Sequence, residues 1–117
     1  MYRRLEIWKN SISLIKEVYA IVDALPQKEE YNLKSQLRRA VISVSLNIAE
    51  GKCKSSAKDF SHFLNISSAS LSEVEAIIYI CKELNYIDNI DDIIEQIHIL
   101  NKKINSLRKK LQEKINE

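Results

Sequence analysis

A single glycine, Gly51, and a single proline, Pro26, punctuate 117 residues, and that scarcity constrains the fold more than any motif does. Sheets need tight turns, and tight turns draw on Gly for positive φ and on Pro for a preset one. Long helices joined by a few connections do not. With 45% apolar residues the chain has enough material for one continuous core, so the expectation is a single all-α domain over residues 1–117.

The spacing of apolar residues divides the chain into four helices, expected at about 5–24, 32–50, 56–85 and 89–114. In the first, Leu5, Trp8, Ile12, Ile15, Tyr19 and Val22 recur three and four apart, which defines one stripe of a helix. Ile7, Leu14, Val18 and Ile21 form a second apolar set round the side, and Pro26 ends the element. The second helix has Asn32 as its expected cap and Gly51 as its left-handed terminating residue. Its core stripe is Leu37, Val41, Val44 and Ile48, with Ile42, Leu46 and Ala49 as another apolar strip. Arg39, Ser43, Asn47 and Glu50 fall on a polar ladder between them, and the side carrying Lys34, Arg38, Ser45 and Lys52 reads as solvated.

The third helix opens on Ser56-Ala57-Lys58-Asp59, which resembles a capping box with Asp in place of Glu or Gln. Phe60, Phe63, Leu64, Ser67, Leu71, Val74, Ile78, Cys81 and Leu84 carry it on for ~45 Å at the standard helical rise. In the fourth, Asp91 and Asp92 suit the positive end of the helix dipole. Ile90, Ile93, Ile97, Leu100, Ile104, Leu107 and Leu111 then repeat without a break, as in a coiled-coil seam.

Four amphipathic helices with short connections predict an antiparallel up-down-up-down four-helix bundle. Helix two, apolar or small-polar around most of its circumference, needs cover on more sides than its bundle neighbours supply. The second strip on helix one adds to that surplus, so self-association is expected.

Charge and motifs exclude several function classes. Eighteen Lys and Arg against sixteen Asp and Glu give a net +2, which is neither a basic nucleic-acid tail nor an acidic disordered chain. Met1-Tyr2-Arg3-Arg4-Leu5-Glu6 runs into Lys9 and Asn10 without a signal-like apolar region, and no apolar run of roughly 18 residues could span a membrane. A cytoplasmic location with no membrane partner is expected. Cys53 and Cys81 read as reduced structural thiols. The lone glycine excludes a glycine-rich phosphate loop, and His62 and His98 sit in no metal-binding spacing, so neither metal nor cofactor is expected.

Two constellations remain. Arg39 and Glu50 on the ladder could grip a phosphate or act as general acid and base. Alternatively Arg39, Ser43, Asn47 and Glu50 form a structural polar network with Ser70 and Glu73 or Glu75, since buried polar groups must find partners. No nucleophile or histidine accompanies them, so the structural reading is adopted and no catalytic residue is assigned. The basic residues Lys102, Lys103, Arg108, Lys109 and Lys110 lie in an acid-free stretch, with Lys34 and Arg38 and the loop residues Lys52, Lys54 and Lys58 as smaller groups. Lys34, Arg38, Lys102, Lys103, Arg108, Lys109 and Lys110 are the candidates for contact with phosphate oxygens.

Pro26, Glu30-Tyr31-Asn32-Leu33, Gln36-Leu37-Arg38-Arg39-Ala40, Ser43 and Asn47-Ile48-Ala49-Glu50-Gly51 form an ordered pattern. Phe60-x-x-Phe63-Leu64 and Ser70-Leu71-x-Glu73-x-Glu75 follow it, and Leu5-x-x-Trp8 precedes it. Together they resemble the four-helix-bundle proteins encoded in intervening sequences of bacterial 23S ribosomal RNA genes, also labelled S23 ribosomal proteins, over residues 5 to 87. The word "ribosomal" there records where the gene was found. The resemblance implies a bacterial homopentamer arranged as a short barrel, with Arg39, Ser43, Asn47, Glu50, Gly51, Ser70 and Glu73 as fold determinants. Such proteins look similar in fold to the accessory variability determinant of diversity-generating retroelements, a basic pentamer that works with nucleic acid. Five copies at +2 would total about +10 around a ring. Ile66-Ser67-Ser68-Ala69-Ser70 departs from the family, which more usually has an Ala and then a Gly before the Ser, and this bears on how closely helix three packs.

The functional expectation is a non-enzymatic homo-oligomer associated with RNA or DNA. The alternative is a scaffold for another protein partner without nucleic-acid binding.

Overall fold

Where each helix stops follows from local chemistry. A computed structural model of the chain describes residues 1–116. Its helices are α1 (Glu6–Ala24), α2 (Leu33–Lys52), α3 (Ala57–Glu83) and α4 (Asp91–Ile115), with short 3-10 turns at Tyr2–Arg4 and Gln27–Glu29. Pro26, in extended conformation, closes off α1. The Ser56 hydroxyl accepts from the Asp59 amide at 3.1 Å and caps α3, as its capping-box spacing predicts. Asn89 Oδ1 accepts from the Asp91 amide at the start of α4.

Two helix ends differ from the sequence expectation. Gly51 does not terminate α2 in a left-handed conformation; it lies inside the helix and is buried. The left-handed residue is instead Asn85, at φ 63°. There the Asn85 amide donates to the Lys82 carbonyl and the Tyr86 amide to the Cys81 carbonyl, the paired bonds of a Schellman cap. Asn32 occupies the cap position of α2, but its side chain caps no amide. It accepts from Gln36 Nε2 at 2.8 Å and donates to Glu29.

The all-α expectation holds, with no strand among the described residues. The helices pack as a square. α1 lies beside α2 and α4, α3 lies beside α2 and α4, and the diagonal pairs are not neighbours. The resulting body measures 50 × 23 × 20 Å. Leu37, Val41, Val44 and Ile48 of α2 are fully buried, as their stripe predicts, against Leu14, Val18, Leu64, Leu71 and Ile78. Burial of each such side chain contributes roughly 1.5–3 kcal/mol.

Helix α1 turns a different face inward from the one its longest stripe suggests. The buried residues are Ile7, Ser11, Leu14, Val18 and Val22, while Trp8, Ile12 and Ile15 are half-buried and Tyr19 is exposed. On α2 the side read as solvated is also partly inside, with Lys34 and Ser45 both buried. One contact accounts for the inward face of α1 and for Ser45, while Lys34 lies against Glu30. Ser11 and Ser45 hydroxyls lie 2.6 Å apart, and Ser11 also donates to the Trp8 carbonyl at 2.6 Å. Two small side chains that satisfy each other let α1 and α2 approach where larger apolar residues would hold them apart.

The pair makes a testable cycle. Ser11→Ala is expected to cost about 1–2 kcal/mol because it strands the Ser45 hydroxyl, and Ser45→Ala about 1 kcal/mol. The double variant should cost about 1 kcal/mol less than the sum. Urea unfolding of the four proteins measures this, and strict additivity would show that the hydroxyls act independently.

Candidate nucleic-acid interface

The basic candidates divide according to what already holds them. Lys34, only 8% exposed, lies 3.4 Å from Glu30, and Arg38 forms a short ion pair with the same carboxylate. The Arg38 guanidinium, hydrogen-bonded to Glu30, holds that carboxyl below its usual range, and Lys34 adds to the effect. Glu30 lies in the turn before α2, and the fold of that turn brings its carboxylate back over the first turns of the helix. Two cations thus share one carboxylate, and the group remains net +1.

On α4, Lys103 Nζ contacts Glu6 at 2.6 Å and Asn10 at 3.3 Å, and its hydrogen bond lowers the Glu6 pKa. Arg108 is half-buried, with Nη1 donating to Asn105 at 3.2 Å. Lys102, Lys109 and Lys110 are exposed. Among the described residues none of these three has a carboxylate within 4 Å.

The polar ladder of α2 is only partly joined within one chain. Ser43 and Ser70 hydroxyls meet at 2.8 Å across α2 and α3, and Asn47 Nδ2 donates to the Ser43 carbonyl and hydroxyl at 2.9 and 3.1 Å. Ser67 donates to the Val44 carbonyl one turn away, so small residues let these helices run close together. Glu50 pairs with Lys54 at 3.3 Å rather than with Arg39. Arg39 and Glu73 are exposed and join no hydrogen bond to the ladder. Glu75 contacts His98 at 3.0 Å. Arg39 and Glu50 thus point to solvent on an open face, which is not the geometry of a paired acid and base.

Two grooves flank the bundle, one largely apolar and one of mixed lining, with Lys82, Asp91, Glu95 and Lys102 on the rim of the second. One, about 460 Å³, lies between α1 and α2 and is lined by Tyr19, Arg39, Ile42 and Leu46; Leu46 is 62% exposed. The other, about 520 Å³, lies between α3 and α4 and is lined by Tyr79, Ile94, His98 and Ile99, with Tyr79 and Ile99 nearly half exposed. In the square packing these grooves are on opposite sides.

Burial pushes the Cys81 thiol up and away from thiolate chemistry. Cys53 is exposed. Among the described residues no group of His, Cys, Asp and Glu could hold a metal ion, and no helix is long and apolar enough to cross a membrane.

A family model described as 23S rRNA-intervening sequence protein matches residues 3–113. The chain belongs to that family. The match extends past Ile87, where the sequence resemblance stops, and takes in the basic stretch of α4. A crystal structure of a protein of unknown function from the S23 ribosomal protein family of Bacteroides thetaiotaomicron VPI-5482 is similar to this chain. It is 22% identical with a TM-score of 0.65, and the likeness covers 95% of this chain and 99% of that one. At that identity the likeness shows the shared fold alone. Among curated proteins none matches. For this member of the 23S rRNA-intervening sequence family, the open lysines of α4 and the two lateral grooves are the surfaces left to carry a function.

Proposed function

We propose that this family member is a non-enzymatic homo-oligomer of the bacterial cytoplasm that associates with RNA or DNA through basic surface on α4. The observation that carries the nucleic-acid reading is the pair Lys109 and Lys110, exposed and free of carboxylates within 4 Å among the described residues, whereas Lys102 lines the α3–α4 groove. Such cations contact phosphate without reading sequence.

The oligomer reading is supported by the two grooves on opposite sides of the bundle, each with exposed apolar residues, Leu46 in one and Tyr79 and Ile99 in the other. Distinct faces that complement each other generate head-to-tail contacts, and these close into a ring when the rotation per step allows. Five copies is the number that resemblance to the family implies. Within each copy, the pairs Ser11 with Ser45, Ser43 with Ser70 and Glu6 with Lys103 support an up-down-up-down course of the helices.

Binding of a labelled RNA and of a DNA by the full chain, measured at two salt concentrations, tests the reading. Affinity is expected to fall as salt rises, with a slope of about 0.9 per phosphate neutralised on duplex DNA. Absence of binding at low salt would reject it. Nuclease-resistant recovery of one stoichiometric protein partner would favour the scaffold reading, to which the same grooves lend support.

A further inference from the structure

Folding sorts the charge along the long axis of the bundle. Ser11 faces Ser45, so the Tyr2–Arg4 turn, which touches α2, lies beside the last turns of that helix. Gly51 meets Phe60 and Phe63 across the α2–α3 connection. Lys103 reaches Glu6, so the rest of α4 runs on to the same end. There Lys52, Lys54, Ser56, Leu107 and Lys114 line a shallow groove. Residues 1–10, 50–61 and 102–116 hold twelve Lys and Arg against four Asp and Glu, net +8. Residues 11–49 and 62–101 hold six against eleven, net −5. The overall +2 conceals this separation.

Most of the basic end is open. Arg3, Arg4, Lys58, Lys109, Lys110 and Lys114 are exposed, and among the described residues none has a carboxylate within 4 Å. Two of the four acids there are already engaged, Glu6 by Lys103 and Glu50 by Lys54. The amino terminus of the 27-residue helix α3 opens at the same end, but α2 and α4 end there, so the helix dipoles offset one another and the positive potential comes from the side chains. Of the large apolar residues at this end only Met1 and Ile115 are exposed, Phe60 and Phe63 lie partly covered beneath Lys52 and Lys54, and the exposed aromatic residues Tyr19, Tyr31 and Tyr79 lie elsewhere. A protein partner would want such anchors, whereas dispersed point charges suit a chain of phosphates.

We propose that this end, formed by the α2–α3 connection, the chain start and the last turns of α4, docks on the phosphodiester backbone of a nucleic acid. The bundle meets it end-on, with the acidic half held away. This deepens the nucleic-acid reading above and rests on it. Lys34 and Arg38, which share the Glu30 carboxylate in the half of net negative charge, take no part. In a ring joined through the lateral grooves with bundle axes along the ring axis, rotation places every basic end on one rim, so weak contacts act together.

The test uses the full chain, a short fluorescein-labelled RNA duplex and the DNA duplex of the same sequence, with anisotropy read at two salt concentrations. Lys58→Glu/Lys110→Glu reverses two charges at the basic end, and Lys16→Glu/Lys28→Glu reverses two exposed charges in the other half. Circular dichroism and solution mass verify that both fold and assemble. The basic-end pair is expected to weaken binding about 10- to 100-fold and lower the salt slope on DNA by about 2, and the control pair to change affinity less than about 3-fold. An equal loss in both pairs, or wild-type affinity in the basic-end pair, overturns the end-on face while the nucleic-acid reading survives. No binding by the wild type removes both. Competition by polyglutamate as strong as by unlabelled RNA at equal charge would assign the face to acidic protein and overturn the proposal.

Discussion

Leu46→Asp is expected to leave the four helices folded and to reduce the assembly to single chains of 13.6 kDa. Leu46 is 62% exposed in the isolated chain, so the change costs the fold no more than about 0.5 kcal/mol. In a joint between subunits the same carboxylate would be desolvated without a partner, weakening each contact by roughly 3 kcal/mol, more than about 100-fold. Ile99→Asp, in the opposite groove, should have the same effect. Mixing the two variants separates the forms of symmetry. If the α1–α2 groove of one copy receives the α3–α4 groove of the next, the mixture forms a dimer of twice the chain mass and stops, because both remaining faces are damaged. Light scattering reads these masses. A wild-type chain that is already monomeric, or an Ile99→Asp variant that still pairs with itself, would overturn the head-to-tail arrangement.

Gly51→Leu is expected to be the most damaging single change to the fold, lowering stability by more than about 3 kcal/mol. A Cβ at this position would already lie 2.9 Å from Phe63 Cβ and from Phe60 Cδ1, and 3.3 Å from the Phe60 carbonyl oxygen. The Phe60 ring can turn, but the Phe63 Cβ moves only with its helix. Gly51→Ala separates two opposing effects. Helix propensity favours alanine by about 1 kcal/mol, and overpacking costs about 1–3 kcal/mol. A net loss of up to about 2 kcal/mol is therefore expected, visible in urea unfolding and as a lower melting temperature. A more stable Gly51→Ala protein would mean that α2 and α3 separate at this end without cost.

How much of this is legible in the chain depends on the distance between the interacting residues. The helices, the cap at Ser56 and the stop at Pro26 follow from residues within a turn or two of each other. So does the acid-free stretch of α4. Gly51 misleads because glycine serves two purposes, a left-handed end or a close approach, and the choice depends on Phe60 and Phe63 in the next helix. Asn85 takes the left-handed position instead, where its short polar side chain tolerates positive φ.

Helix α1 carries two apolar stripes of similar quality, and their periodicity cannot rank them. The inward stripe contains Ser11, a polar residue that is stable inside only because Ser45 meets it 34 positions away in the sequence. The candidate interface divides in the same way. The charges are all visible in the chain, yet their separation into a +8 half and a −5 half exists only once the chain start, the α2–α3 connection and the end of α4 are brought together. Helical periodicity is a property of each segment by itself, and the amino-acid order therefore determined four helices and the ends set by Pro26 and Ser56. Which faces pack together, and where the charge gathers, was decided by contacts between distant segments, because steric fit and hydrogen bonding act on the pair.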